Sequence, residues 1–513
     1  MKNEKLVLTI DFGTQSVRTL IINNKGETLA TVKVPYETPY FSPKPGYAEQ
    51  YPEYYWEQMK KATLILASKH ANLLQHVIAL GVTTFRDSAI LLDENYKPLR
   101  PMILWLDQRQ AALKKDIPFI KKIAFFVSGM TETIVLNRKR TPAIWMQENE
   151  PELWSKGKYY INFSSFIMYK ITGELIDSVA NQTGHFPINF RKRKWHGKYA
   201  LKNIFDVPRK MLCKIVQPGE VLGTISAQVS EETGIPAGLK LYATGTDKGS
   251  ETIGTGCVTK DMASISYGTA STIEVSNPKY TEPQTFLPAY PAPINNLYQM
   301  EAQVYRGYWM VSWFIKEFGN NESLEASIVK MATEEVLNDK MLEIPVGSDG
   351  LVLQPYWGPG LKRPLAKGAI IGFSDYHTRL HVYRAIIEGI AFALLEGLKE
   401  IESKQRHKVK IIRVSGGGSQ SDAICQITAD IFGLPVERIQ THETASLGTA
   451  VALFLSSGVF ATIEEAIETM VHPSDKFIPN MENNKKYDYL FKKVYRNIYP
   501  RLKNLYKTIK KFN

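Results

Sequence analysis

The chain has 513 residues, too many for a single hydrophobic core, and this length predicts two domains of roughly 200–250 residues each. Hydrophobic residues make up 44% and charged residues 22%, as in a globular protein, and no uncharged apolar run approaches the roughly 18–20 residues that cross a bilayer. We therefore expect no membrane partner. Three cysteines without a C-x-x-C spacing predict a reducing, cytoplasmic location and no thiolate metal site.

The net charge of +12 is concentrated at the C-terminal end. Residues 485–513 hold ten Lys or Arg and one acidic residue, Asp488, so this basic tail supplies +9 of the total. Its aromatic and aliphatic residues recur at helical spacing, which predicts a helix with one packed face and one basic, solvated face. We therefore expect no nucleic-acid partner.

Residues 6–22 predict a β-hairpin with a phosphate-binding turn. Two apolar runs flank a short polar loop, as in two paired strands. In that loop Gly13 lets the backbone approach an anion closely, and Thr14 and Ser16 add hydroxyl donors. Asp11 leaves the first strand with its carboxylate facing the same loop, where Mg²⁺ bound to nucleotide phosphates would lie. Taken alone, the segment is equally compatible with an ordinary hairpin.

The pattern then alternates helices and strands. A helix is predicted from Pro52, a strand over Val77–Thr84, and mainly helical structure over residues 117–178. Short strands with Pro-Gly turns follow, and Leu241–Thr244 reads as the strand that leads to Asp247. We assign residues 1–250 to the first domain and residues 251–513, which end in the basic tail, to the second.

A second hairpin repeats the first about half a chain later. Residues 261–276 hold an apolar strand, a turn that begins Gly268-Thr269, and a β-branched strand. Such spacing is typical of an ancient duplication. Two facing phosphate hairpins, one in each lobe, resemble the superfamily of sugar kinases, Hsp70 and actin, in which two domains clamp ATP.

A strand, a glycine loop and a helix follow at residues 410–432. The loop Gly416–Gly418 can pass close to a nucleotide, and the residues around Ser421 open the helix with free backbone N–H groups. A glycine loop of this kind also occurs in plain strand-to-helix turns. The sequence GxxxxGK[ST] does not occur, so the predicted nucleotide site is not a P-loop.

Four ordered segments carry a more specific resemblance. They are DFGTQS at residues 11–16, NRKRTPAIWMQENEP at 137–151, GAIIGFSDYHTRLHVYRAIIEGIAF at 368–392 and VSGGGSQSDAICQITADIFGLPV at 414–436. Over almost its whole length the chain resembles the FGGY family of carbohydrate kinases. Two departures from the family pattern are Phe373, where a smaller aliphatic residue is usual, and Pro142, where Lys is common.

The resemblance implies an α/β fold of two ribonuclease-H-like domains with an ATP cleft between them. It implies an ATP-dependent kinase that transfers the γ-phosphate to a hydroxyl of a small sugar or polyol. Asp247 is the implied catalytic base, and Asp11 and Asp247 lie near Mg²⁺, which is held mainly through water. The implied ATP-binding residues are Gly13, Thr14, Gln15, Ser16, Arg18, Gly268, Thr269, Gly416, Gly417, Gly418 and Ser421.

On the substrate side, the resemblance implies Arg86, Asp87 and Trp105 together with Asp247. Many xylulokinases carry Met-His in this loop, whereas an Arg followed by an acid is similar to glycerol kinases and autoinducer-2 kinases. We favour a xylulose-like ketose and keep a glycerol, polyol or autoinducer-type kinase as the alternative. A non-enzymatic ATP-binding protein similar to actin or Hsp70 is a distant alternative. A buried ion pair or a surface loop, without a substrate role, is the other interpretation of Arg86 and Asp87, and a homodimer stays open.

Overall fold

Two large mixed β-sheets organise the protein, whose computed structural model describes residues 4–284, 287–358, 360 and 363–512. In spatial order, the strands of the first sheet are Val221–Thr224, Lys240–Tyr242, Val77–Thr84, Leu6–Phe12, Ser16–Asn23 and Thr28–Pro35. Those of the second are Tyr290–Pro291, Tyr298–Val304, Ser271–Asn277, Met262–Tyr267, Ile411–Ser415, Val436–Ile439 and Pro473–Phe477.

The two sheets share one connectivity. In each, a hairpin pairs antiparallel, and the first strand of the hairpin pairs in parallel with a strand that comes much later in the chain. Leu6–Phe12 pairs in this way with Val77–Thr84, and Met262–Tyr267 with Ile411–Ser415. The repeated topology agrees with the duplication predicted from the two Gly-Thr turns, and it confirms the α/β fold of two similar halves.

Smaller sheets and many helices surround the two large sheets. A four-stranded sheet has the order Glu49–Gln50, Met102–Ile103, Ala89–Leu92 and Tyr159–Asn162. Three two-stranded sheets pair Ile188–Asn189 with Lys194–Trp195, Lys214–Val216 with Ile176–Ser178, and Val352–Gln354 with Ala369–Ile371. The α-helices of the first half are Pro52–Leu74, Phe119–Val127, Thr131–Lys139, Pro142–Asn149, Pro151–Lys156, Phe163–Thr172, Ala227–Thr233 and Asp247–Gly254. Those of the second half are Trp309–Phe318, Asn320–Val329, Thr333–Met341, Arg379–Gln405, Asp422–Phe432, Thr444–Ser456, Ile463–Met470, Met481–Leu490 and Arg496–Phe512.

Most predicted elements lie where the sequence placed them. The strand Val77–Thr84 has the predicted bounds, and the helix from Pro52 extends to Leu74. The strand predicted over Leu241–Thr244 instead covers Lys240–Tyr242, because the chain leaves the sheet there to enter the helix that begins at Asp247. Among the described helices, none combines the length and the apolar character that a membrane span requires.

The first strand, Leu6–Phe12, is buried along its whole length. The helix Thr444–Ser456, from the second half of the chain, packs against this strand and against Val77–Thr84. Val7 and Leu20 accordingly share one hydrophobic cluster with Leu447 and Ala450 and with other residues of both halves. The two halves are therefore joined by a common apolar core as well as by the chain.

Helix Thr444–Ser456 also crosses helix Asp247–Gly254 at very short range. A Cβ atom at Gly448 would lie 1.8 Å from the carbonyl oxygen of Ser250, and one at Gly254 would lie 1.9 Å from that of Thr444. Only glycine permits two backbones to approach this closely. The position of the helix that begins at Asp247 is thus fixed by a glycine-to-glycine contact.

The basic tail is helical in its described part and packs on the long helix Arg379–Gln405. Tyr487, Phe491 and Tyr495 are buried, and all three rings contact Phe392 of the long helix. The lysines and arginines of the tail are exposed.

Candidate active site

A cleft with a volume of about 2080 Å³ lies between the two halves. Thr14 of the first hairpin turn and Thr269 of the second both line it. Asp247 also lines this cleft, and so does the loop that follows strand Val77–Thr84. The structure therefore brings the two repeated turns to one space, although they are about 250 residues apart in the sequence.

The first turn closes the hairpin through its backbone. The N–H of Gly13 donates to the carbonyl oxygen of Ser16 over 3.0 Å. Gln15 is exposed at the tip, whereas Ser16 is buried at the start of the second strand. Of the residues in this turn, Thr14 lines the cleft.

Asp11 lies at the floor of this turn, where strand pairing places it opposite Arg18. Its Oδ2 atom is 3.5 Å from the Arg18 guanidinium, which also donates to Glu443 over 3.0 Å. Burial raises the pKa of Asp11 to about 7, and Arg18 opposes that rise. The Oδ1 atom of Asp11 is buried and has no hydrogen-bond partner among the described residues.

The unpartnered Oδ1 of Asp11 fits a hard cation, because Mg²⁺ prefers carboxylate oxygen, water and phosphate oxygen as ligands. Within the described residues, no group of three or more His, Cys, Asp or Glu side chains could hold a metal ion by itself. A Mg²⁺ ion at this place would thus depend on water and on nucleotide phosphates, as the sequence interpretation expects.

Asp247 is the first residue of its helix, and Thr246 caps that helix by accepting from the N–H of Gly249. Burial raises the pKa of Asp247, while Lys248 and Arg86 oppose the rise by favouring the charged carboxylate. One carboxylate oxygen accepts from the N–H of Lys248 over 2.8 Å. A carboxylate held in this way is suited to accept a proton from a substrate hydroxyl.

Lys248 and Glu251, which the sequence interpretation missed, form an ion pair beside Asp247. The ammonium group of Lys248 donates to Glu251 and to the hydroxyl of Ser266, each over 2.7 Å. Burial alone would raise the pKa of Glu251, but Lys248 and hydrogen bonds from Ser415 and Ser266 hold it below its ordinary value. Their place one and four residues after Asp247 is the signal that could have found them.

On the substrate side, Arg86 and Asp87 lie in a loop, as expected, because the strand before them ends at Thr84. Asp87 has a positive φ of 54°, and both residues line the cleft with Trp105. One carboxylate oxygen of Asp87 accepts from the backbone N–H of His185 over 2.9 Å, and the other lies 2.7 Å from the imidazole Nδ1. This arrangement fixes the carboxylate at the cleft wall.

Arg86 makes an ion pair of 2.7 Å with Glu301, a residue of the second half that also lines the cleft. Behind this pair Glu274 is fully buried, and burial followed by the nearby charge of Glu301 raises its pKa well above the ordinary range. The guanidinium of Arg86 is thus neutralised inside the protein. The sequence signal for both acids is weak, since each is a single Glu within a strand of mixed polar and apolar residues.

The third predicted loop, Gly416–Gly418, follows the strand end Ser415. Gly416 has a φ of 80°, and a Cβ there would lie 2.7 Å from the carbonyl oxygen of Tyr267. Gly417 faces open space, without a described heavy atom within 4 Å of its Cβ position. Ser421 caps the following helix by accepting from the N–H of Ile424.

Comparison with known proteins agrees with this geometry. Residues 6–254 match the N-terminal domain of the FGGY family of carbohydrate kinases, and residues 263–457 match its C-terminal domain. The uncharacterized sugar kinase YgcE of Escherichia coli (strain K12) is 27% identical over 97% of this chain and 94% of its own. The xylulose kinase of Lactococcus lactis subsp. lactis (strain IL1403) is 26% identical over 96% of both chains.

A solved structure, the ligand-bound xylulose kinase from Lactobacillus acidophilus, has a TM-score of 0.82 at 21% identity and covers 98% of this chain and 100% of its own. At that identity the likeness shows the fold. The two matched domains define a carbohydrate kinase. The chain belongs to the FGGY family of carbohydrate kinases and is an ATP-dependent sugar or polyol phosphotransferase.

Proposed function

We propose that the protein transfers the γ-phosphate of ATP to a hydroxyl of a small neutral sugar, with a xylulose-like ketose as the favoured acceptor. The observation that carries this proposal is the meeting of Thr14, Thr269 and Asp247 at one cleft. Relatives named xylulose kinase, similar over nearly their full length, support the choice of acceptor.

In this proposal the two turns hold the triphosphate. Backbone N–H groups and hydroxyls of the turns bind phosphate oxygens, and the glycine loop receives the nucleoside. We assign ATP contacts to Gly13, Thr14, Gln15, Ser16, Arg18, Gly268, Thr269, Gly416, Gly417, Gly418 and Ser421. Residues 1–250 form the acceptor-binding domain and residues 251–513 the nucleotide-binding domain.

Asp247 accepts the proton of the acceptor hydroxyl as the oxygen attacks phosphorus. Asp11 and Asp247 would hold Mg²⁺ mainly through water, and the ion when bound neutralises charge on the phosphates. The buried, unpartnered Oδ1 of Asp11 supports this placement.

Arg86, Asp87 and Trp105 bind the acceptor in this proposal. Because Glu301 already compensates the charge of Arg86, the pair presents hydrogen-bonding groups without a net charge, which suits neutral hydroxyls. The Arg-acid order of the loop keeps a glycerol, polyol or autoinducer-type acceptor as the second candidate.

A panel of acceptors tests the proposal. ATP turnover would be measured with xylulose, other ketoses, glycerol, erythritol and gluconate, and without any acceptor, and compared as kcat/KM. We expect turnover to depend on the acceptor and to be most efficient with a ketose. The highest efficiency with glycerol or erythritol would select the second candidate. Acceptor-independent ATP hydrolysis would contradict the kinase proposal and favour an actin- or Hsp70-like role.

A further inference from the structure

Lys248 is a partly buried cation whose hydrogen-bonding capacity is not fully used. Its side chain is 18% exposed and lines the cleft. An ammonium group has three N–H donors, and two of them are occupied by Glu251 and Ser266. Among the residues that the structure describes, no acceptor faces the third. The ion pair with Glu251, 2.7 Å long, favours the charged ammonium form of Lys248.

The Lys248 ammonium lies at the second phosphate turn. A Cβ atom placed on Gly268 would be 3.7 Å from Nζ, so nothing bulky separates the cation from that turn. Thr269, the next residue, is exposed at the cleft. Lys248 therefore lies between two features of the site. One is the predicted base Asp247, which precedes it in the sequence, and the other is the turn that we assign to ATP phosphates.

Glu251 holds this cation in a rigid frame. Its other oxygen accepts from Ser266 over 2.9 Å and from Ser415 over 2.8 Å. Ser266 lies one residue before the end of the strand that leads into the second turn, and Ser415 ends the strand before the glycine loop. One carboxylate thus connects Lys248 to both nucleotide loops, and a preorganised charge of this kind stabilises a transition state without reorganisation.

We propose that Lys248 donates its third N–H to the phosphoryl group during transfer, and is thus a second catalytic residue beside Asp247. This inference rests on the proposed function. In the step, the acceptor oxygen forms a bond to the γ-phosphorus. The bond from that phosphorus to the bridging oxygen breaks, and its electron pair leaves on ADP. The acceptor proton goes to Asp247, and Lys248 keeps all its protons and stabilises the charge on the transferring oxygens.

The variants Lys248→Met and Lys248→Arg test the proposal, with the exposed-face substitution Lys61→Met as the matched control. We expect Lys248→Met to lower kcat by roughly 10²–10³-fold, the usual effect of removing one transition-state donor, with little change in the KM of the acceptor. Lys248→Arg should retain more activity than Lys248→Met because it keeps the charge, and Lys61→Met should match the wild type.

A binding measurement separates catalysis from structure. The affinity for ADP alone should change little in Lys248→Met, whereas the affinity for ADP with aluminium fluoride and the best acceptor of the panel should fall with kcat. Because Lys248→Met leaves Glu251 without its cation, the double variant Lys248→Met/Glu251→Gln removes that carboxylate charge as well. It should fold, as judged by its melting transition, and stay as slow as the single variant.

Three outcomes would overturn the inference. One is a double variant with kcat near the wild-type value. The second is an equal loss of affinity, in Lys248→Met, for ADP and for the aluminium fluoride complex. The third is a rise confined to the KM of the acceptor, which would place Lys248 in acceptor binding. Wild-type protein without acceptor-dependent turnover would instead contradict the proposed function itself, so the two failures are distinguishable.

Discussion

The glycine contact between helices Thr444–Ser456 and Asp247–Gly254 gives the sharpest mutational prediction. In Gly448→Ala the new methyl carbon would lie 1.8 Å from the carbonyl oxygen of Ser250. Carbon and carbonyl oxygen normally stay about 3.3 Å apart or more, so the helices must separate by about 1.5 Å. Because helix Thr444–Ser456 also packs on the first sheet, it cannot move without disturbing that core.

The expected cost follows from this overlap. Overpacking of a filled site costs about 1–3 kcal/mol or more, and the better helix propensity of Ala returns up to about 1 kcal/mol. Because an overlap to 1.8 Å with backbone lies at the upper end of that range, we expect a net loss of about 2 kcal/mol of unfolding free energy. At about 2–4 °C per kcal/mol for a unit of this size, Tm should fall by several degrees. A displacement of about 1 Å at Asp247 should also lower kcat by up to about 10²-fold.

Circular dichroism melting and steady-state kinetics would measure both effects on the same preparation. Gly197→Ala is the control, since Gly197 has no described heavy atom within 4 Å of its Cβ position and no positive φ. Gly254→Ala should reproduce the effect from the other helix. Wild-type Tm and kcat in Gly448→Ala would refute the argument that this contact positions the helix that begins at Asp247.

Three further predictions concern single side chains. Asp247→Asn should lower kcat by about 10²–10⁴-fold, because the base is lost, while calorimetry shows an unchanged Kd for ADP. Asp87→Ala should raise the KM of the acceptor about tenfold or more, because a hydroxyl loses its partner, with little change in the KM of ATP. Glu274→Gln should become more stable relative to the wild type as the pH rises above the ordinary pKa of 4.5. Above that pH the unfolded state loses the proton of Glu274, whereas the folded state keeps it. The unfolding free energy of the wild type therefore falls by up to about 1.4 kcal/mol per pH unit. Urea denaturation at several pH values would detect this fall.

Each of these predictions has a contrary result. An Asp247→Asn enzyme with more than about a tenth of the wild-type kcat would remove Asp247 from the mechanism. Wild-type KM values in Asp87→Ala would mean that the loop after Thr84 is structural and that the acceptor lies elsewhere. A stability difference between Glu274→Gln and the wild type that does not change with pH would mean that Glu274 is ionised in the folded protein.

Local sequence determined much of the fold. The hairpin that carries Gly13 and the one that carries Gly268 were predictable, because a strand, a glycine turn and a second strand are specified within about twenty residues. The strand Val77–Thr84 was predictable for the same reason, since it is one short run rich in apolar and β-branched residues. Family motifs supplied the kinase class and the candidate role of Asp247.

Tertiary structure alone decided which groups meet. Arg86 pairs with Glu301, which is 215 residues away, and no local pattern encodes such a partner. Glu251 joins Lys248 to Ser415 for the same kind of reason, because two strands that are distant in sequence end side by side. These contacts arise from the packing of one half of the chain against the other. The sequence by itself determined the elements and the class of chemistry, whereas burial and long-range pairing decided the charge and the partners of each side chain in the cleft.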